Sequence, residues 1–354
     1  MKTIESTQLN EEPTLFAEET DRLDIYDGLT TPMSDDVILL HSRHRQEIEA
    51  FALKALSAYA PNNAEPEPTM VQQKFAVPAL VTRVDCTILN GHVVCYELED
   101  SPSGIGIADL LSLRYIDISI KERVLDHYTQ LLGDRPFLVV SGSRTHGTDD
   151  ILVYGKEKYH FQQGDHTLPD NLKDEPVIVK AIPGRPDSHL PYLGLADRAV
   201  APLKTEGDKT YAERLGILER VHSPDELLHD DAGQLSSQVL KARIGSMALG
   251  VSIYLSAEDR AKYGKAGSIT ASRLVRELTD YVKHDGFAYT HRFKPAIQVT
   301  NPERRNNLIL RMFVLAHPDS SNLKTEVIGG CYVARSEPIV HGATNSVVGS
   351  VLVK

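Results

Sequence analysis

Four charged residues stand at alternate positions on two neighbouring strand-like runs. Arg83 and Asp85 lie in ALVTRVDCTI (79–88), and Glu97 and Glu99 lie in HVVCYELE (92–99). Asn90-Gly91 between the runs is the dipeptide that best favours a two-residue hairpin turn, whose central residues both need positive φ. Side chains alternate between the faces of a strand, so Arg83 shares a face with Asp85, and Glu97 with Glu99. One arginine and three carboxylates are costly to bury without counter-ions. The set suits an exposed strand face with its charges in water. It equally suits a site for a hard cation, which takes oxygen ligands from one or two carboxylates and from substrate phosphates.

A second stretch with chemistry in it is QVLKARIGSMALGVSIY (238–254). Apolar Val239 and Leu240 lead to Lys241, then to a small-residue turn with Gly245, Ser246 and Gly250, then to an alternating run. Strand, flexible turn and strand are expected. Glycines let backbone N–H groups approach a phosphate, and a lysine adds a point charge. The GxxxxGK[ST] pattern is absent, so this is not a P-loop.

Other cations sit at or near the ends of apolar runs: Arg144 after PFLVVSGS, and Lys180 and Arg185 at and after PVIVKAI. Taken singly, each reads as an ordinary surface charge. Arg311 interrupts LILRMFVLA, the most apolar run, and Arg335 directly follows EVIGGCYVA. An arginine inside such a run is expected to face a partner anion. His189, like Arg144 and Arg185, is a candidate carboxylate contact by its position after a predicted strand, while His146 and His341 fall in loops, where exposure to solvent is the ordinary state.

The elements that position these residues are those of a mixed chain. Its 354 residues leave room for two or three domains. A net charge of −11 argues against a broad nucleic-acid surface. Cys86, Cys95 and Cys331 are odd in number and lack CxxC spacing, which argues against a disulfide framework or structural zinc. No leader-like or membrane-length apolar run occurs, so the cytoplasm is the expected compartment and no membrane partner is expected. Residues 1–35 read as a polar lead-in with a short helix near Leu15–Leu23. Apolar positions Ile48, Phe51, Ala52, Ala55, Leu56 and Tyr59 predict a helix within 35–60. Helices are expected after SPSGIG, over 118–132, from Lys209 with Asp208 as N-cap, and over 269–284. Short buried strands at 136–143, 176–182 and 195–203 suggest a small open α/β layer. Single strands are expected over 287–299, 308–316 and 326–334.

Taken in order, these pieces resemble an ATP-grasp carboxylate–amine ligase, in the permuted branch typified by the synthetase domain of glutathionylspermidine synthase. The resemblance rests on Arg83-Val84-Asp85, eleven intervening residues, Glu97-Leu98-Glu99 and Ser101-Pro102-Ser103-Gly104, with Glu99 standing where the family has asparagine. It implies an α+β ATP-grasp fold, two α+β subdomains sandwiching ATP, with a small α/β pre-ATP domain and permuted order. The implied division is a lead-in (1–35), a helix and metal-binding strand pair (36–130), a substrate-side α/β domain (131–206), a lid subdomain (207–290) and a core subdomain (291–354). By the same resemblance Asp85, Glu97 and Glu99 hold Mg²⁺, and Arg83, Arg311 and Arg335 face phosphoryl transfer. Lys209, Lys241, Gly245, Ser246 and Gly250 contact ATP, with Lys180 an alternative to Lys209. Arg144, Arg185 and Asn345 are the substrate-side candidates. The implied reaction joins a small-molecule or peptide carboxylate to an amine through an acyl phosphate, with room for a homodimer. A phosphotransferase on the same scaffold and a nucleotide-binding protein without turnover stay open as alternatives.

Overall fold

The chain is known from a computed structural model that describes residues 3–11, 17–26, 29–58, 69–100, 102–133, 138–141, 147–154, 159–161, 177–180, 200, 210–242, 251–264, 267–301, 304–319, 322–335 and 346–353. It opens with β1 (Thr3–Glu5), a 3-10 turn at Ser6–Glu11, β2 (Ala17–Tyr26), β3 (Leu29–Ser34), β4 (Val37–Leu40) and helix α1 (Ser42–Ala58). Helix α2 (Met70–Phe75) leads to the hairpin β5 (Val81–Leu89) and β6 (His92–Glu99), then to α3 (Ile105–Leu113) and α4 (Ile120–Leu132). A small unit follows with β7 (Leu138–Ser141), α5 (Gly147–Tyr154), β8 (Tyr159–Phe161) and β9 (Val177–Lys180). Next come α6 (Thr210–Arg214), β10 (Glu219–Val221), β11 (Gln238–Ala242) and β12 (Val251–Tyr254). They are followed by α7 (Ala257–Tyr263), β13 (Ser268–Ile269), α8 (Ala271–Asp285) and β14 (Ala288–Arg292). The last described elements are β15 (Ile297–Asn301), β16 (Arg304–Pro318), β17 (Leu323–Arg335) and β18 (Ser346–Val353).

Among the described residues these strands make three sheets. The main sheet has ten strands, with the order β1-β4-β18-β17-β16-β5-β6 and β15, β3 and β2 attached beside that path. Both of its faces are covered. On one, α1 lays Ile48, Ala52 and Ala55 over Val84, Cys86, Leu310 and Met312. Their spacing of four and three residues is what puts one stripe of a helix against a sheet. On the other, Ala108 and Leu111 of α3 and Ile120 and Val124 of α4 pack on Val81, Phe313, Leu315 and Val333. Local sequence fixes where α4 runs: the Ser119 hydroxyl accepts from the Glu122 N–H, and Gly133 closes the helix at φ 88°.

The second sheet has five strands, ordered β10-β14-β11-β12-β13. Leu274 and Leu278 of α8 cover one of its faces, packing on Leu240, Tyr254 and Ala288. The third is three-stranded and parallel, β8-β7-β9, an open layer of the kind expected. The protein is therefore of mixed α+β class. Among the described residues no helix is long and apolar enough to cross a membrane.

Several elements differ from expectation. The helix expected near Leu15–Leu23 is strand β2, paired with β3, which in turn joins β18. Pairing with its sequence neighbour β3, itself bridged to β18 through Met33 and Val348, has overridden local propensity there. Residues 35–60 begin as strand β4 before turning helical at Ser42. The single strand expected over 287–299 is two, β14 and β15, in different sheets, parted at Lys294-Pro295. Of the strand expected at 195–203 only Val200 is described, and β8 fills the third place in the small sheet.

Candidate functional site

The hairpin turns where the sequence says it should. Asn90 and Gly91 take φ of 53° and 78°, the pair of left-handed conformations that matches the twist of the flanking strands. Arg83 lies opposite Glu99 and Asp85 opposite Glu97; a bulge follows, and Cys86 then pairs with Cys95. On the other side of β5, β16 sets Phe313 against Arg83 and Arg311 against Asp85. Two rows of side chains thus cross the face that carries α3 and α4. One reads Glu99, Arg83, Phe313; the other reads Glu97, Asp85, Arg311, Cys331, Ser350.

Arg83 organises two of the three carboxylates. Its Nε and Nη2 donate to Asp85 Oδ1 and Oδ2 at 2.7 and 3.1 Å, and Nη2 also stands 2.8 Å from Glu99 Oε1. Nη1 donates to the Ser103 carbonyl at 2.8 Å, in the loop just before α3. The guanidinium is only 3% exposed. Burial alone would lower its pKa, but Asp85, then Glu99 and Glu97, outweigh that and raise it, so Arg83 is a fixed cation. Arg311 Nε approaches Asp85 Oδ2 at 3.7 Å, beyond a good hydrogen bond. The anion expected opposite Arg311 is therefore Asp85. Beyond Arg311 the Cys331 thiol is pushed up to about 11, chiefly by burial, and the Ser350 hydroxyl is buried without a hydrogen-bond partner. Arg335 ends β17 on the same face, buried, opposite Asn307 and Ser346.

The three expected metal carboxylates are brought together, though they do not form a metal cage as they stand. Among the described residues no three His, Cys, Asp or Glu side chains are disposed to hold an ion. Asp85 uses both oxygens on Arg83, and Glu99 is turned to the same guanidinium. The donor set still suits Mg²⁺ in one respect. Three carboxylates face two guanidiniums, and Asp85 and Glu97 sit directly opposite each other, an arrangement that leaves negative charge uncompensated. Each carboxylate also keeps lone pairs beyond those an arginine takes.

Lys241 stands in the second sheet, half-buried, near the end of β11, opposite Val251 and Tyr289. β11 and β12 pair antiparallel, as the two expected strands, and the turn expected between them lies outside the described residues. Among the described residues Lys241 pairs with no carboxylate. Its electrostatic neighbour is His291, whose pKa falls to about 4 through burial and then through Lys241, with Lys294 adding to the effect. Lys294 belongs to the link that runs back to the main sheet, where the Tyr96 hydroxyl of β6 donates to the Pro295 carbonyl at 3.2 Å. The link carries the second sheet past β6, but no contact joins Lys241 to Asp85, Glu97 or Glu99 among the described residues. Lys209, Gly245, Ser246, Gly250, Arg144, Arg185 and Asn345 lie outside the described residues, as does the side chain of Lys180.

Two residues of the site had no local signal. Ser103 supplies a carbonyl rather than a side chain. Asp149 of α5 accepts hydrogen bonds from the Gly104 and Ile107 N–H groups across 45 and 42 residues.

The fold and the site define an α+β protein with a buried arginine–carboxylate cluster on the hairpin that ends its main sheet. No protein-family model matches the chain, and no curated protein matches it. Among solved structures it is similar to a protein of Methylobacillus flagellatus provisionally named a gamma-glutamylcysteine synthetase, at 11% identity and a TM-score of 0.43, over 85% of this chain and 84% of that one. A likeness at that level carries no argument about activity.

Proposed function

We propose that the chain is an ATP-dependent ligase that joins a carboxylate to an amine through an acyl phosphate. The observation that carries the reading is the pair of charged rows on β6, β5 and β16, with Arg83 and Arg311 flanking Asp85. Phosphoryl transfer asks for little covalent chemistry from the protein and a great deal of fixed charge. Arg83 cannot lose its proton and cannot turn away, because three of its nitrogens are already bonded. Arg311 is less constrained, with its side chain 18% exposed, and is the guanidinium available to a transferring phosphoryl group. Arg335 adds positive charge on the same face. Glu97, with Glu99 and the remaining lone pairs of Asp85, would hold Mg²⁺, which when bound neutralises phosphate charge. Lys241 and the small-residue turn after it would bind the nucleotide's phosphates from the second sheet.

In that reaction a carboxylate oxygen attacks the γ-phosphorus and ADP leaves. The amine then attacks the acyl carbon, phosphate leaves, and the amine nitrogen gives up a proton. The reading extends to Arg144, Arg185 and Asn345 as contacts for the acid, by their positions in the sequence. One observation favours the alternative of a nucleotide-binding protein without turnover: Arg83 occupies both oxygens of Asp85 and reaches Glu99 as well.

The test is incubation with ATP, Mg²⁺, a panel of carboxylic acids and hydroxylamine. A hydroxamate supports the ligase. ADP without hydroxamate favours a phosphotransferase, nucleotide binding without ADP favours the silent binder, and no nucleotide binding sinks all three.

A further inference from the structure

Asp149 ties the small parallel unit to the charged hairpin. It stands in the first turn of α5, and its carboxylate reaches across to the start of α3. Oδ2 accepts from the Gly104 N–H at 2.6 Å, and Oδ1 from the Ile107 N–H at 3.0 Å. The first N–H groups of any helix lack partners within it. α3 has no local remedy, because its N-cap is Gly104, at φ 96°, with no side chain to accept. Asp149 supplies the missing acceptor from another element.

The junction has no slack. A Cβ on Gly106 would lie 2.7 Å from the Asp149 carbonyl oxygen and 2.7 Å from Leu152 Cβ, so α3 and α5 touch with nothing between them. Asp149 itself is 5% exposed. The residue before Gly104 is Ser103, whose carbonyl accepts from Arg83 Nη1 at 2.8 Å. The same guanidinium holds Asp85 and Glu99. The charge of Asp149 is also felt in the neighbouring row: burial raises the Cys331 pKa, Arg311 and Arg83 oppose the rise, and Asp85 and Asp149 add to it.

We propose that Asp149 is a positioning residue that fixes the Ser103 carbonyl against Arg83, and so couples α5 and its three-stranded unit to the geometry of the arginine–carboxylate cluster. Its value to catalysis rests on reading that cluster as the phosphoryl-transfer site; the coupling itself does not.

The experiment compares Asp149→Ala, Asp149→Asn and Gly106→Ala in the full chain, observing the Arg83 Nε–H by ¹⁵N NMR. Asparagine offers one acceptor oxygen where Asp149 uses two, so it keeps at most one of the two hydrogen bonds. Asp149→Ala should therefore shift or broaden the Arg83 signal most, and Asp149→Asn should shift it less. In turnover, Asp149→Ala should lower kcat by roughly tenfold to a hundredfold with KM for ATP within about twofold, and Asp149→Asn should restore part of the loss. An unchanged Arg83 signal in a folded Asp149→Ala protein overturns the coupling, whatever the protein turns over. Should Asp149→Ala not fold, Gly106→Ala, which pushes α5 off α3, decides by the same signal. A shifted signal in a protein that activates no acid supports the coupling and removes the proposed function instead.

Discussion

Arg83 bonds two of the carboxylates around it and leaves the third, Glu97, to face Asp85 directly across the hairpin. That asymmetry separates structural from chemical roles. Removing Asp85 would leave a buried guanidinium short of its main partner, so Asp85→Asn should lose about 3 kcal/mol in denaturant unfolding. Glu97 is the opposite case. It relieves no buried cation by hydrogen bond, and a like charge opposite Asp85 is mildly unfavourable. Glu97→Gln should leave stability within about 0.5 kcal/mol of the wild type, or raise it, while abolishing turnover. Retained turnover in that variant would remove Glu97 from the site. At this scale the sequence was informative where a period of two sufficed: the shared faces of Arg83, Asp85, Glu97 and Glu99, and an anion opposite Arg311. It was silent on which carboxylate each arginine grips, since that depends on strand register and on a bulge after Asp85. Asp149 was invisible because an acceptor for α3 can come from any element that folds beside it.

Helix α4 carries a titrating group away from the site. Its His127 donates from Nε2 to the Ala316 carbonyl at 2.8 Å, and its pKa is lowered to about 4 by burial and then by His317, whose ring lies 4.7 Å away and itself faces Glu326. The unfolded imidazole titrates near the ordinary value, so between those two pKa values the unfolded chain binds more protons. The stabilisation is complete above about pH 6.5 and is lost as pH falls towards 4, by up to about 3 kcal/mol over the full span. Denaturant midpoints should therefore fall from pH 7 to pH 5, and His127→Gln should flatten much of that slope; an unchanged slope would mean that His127 is not the group. His44 and His291 shift in the same direction and should leave a residue of it. Elements with strong local signals, such as the β5–β6 hairpin, α4 and α8, were legible from sequence to within a few residues. Others were not, and the clearest cases are β2, which pairs with adjacent β3, and the division of 287–299 between two sheets.

Across the whole molecule the two larger sheets supply different things to the proposed reaction. The main sheet offers fixed charge; the second offers Lys241, a cation near a strand end without a carboxylate among the described residues. A side chain so placed contributes little to the fold. Lys241→Ala should leave the melting temperature unchanged and weaken ATP binding by about tenfold, the order expected for one charge-assisted contact. Undiminished binding by calorimetry would detach the second sheet from the nucleotide. Sheet order was the least legible property of all, since an apolar run states that it is buried and says nothing of its neighbour. That order has a consequence for biosynthesis. β18 lies between β17 and β4, with Val351 beside Ile38, and β5 waits for β16 to supply both Arg311 and its hydrogen bonds. On the ribosome the hairpin emerges early and stays unpaired along one edge until the late strands arrive. Such non-local pairing is slow, and an open edge of this kind is prone to associate with other chains. The main sheet cannot close until β16, β17 and β18 have been made, and the edge of β5 stays open until then.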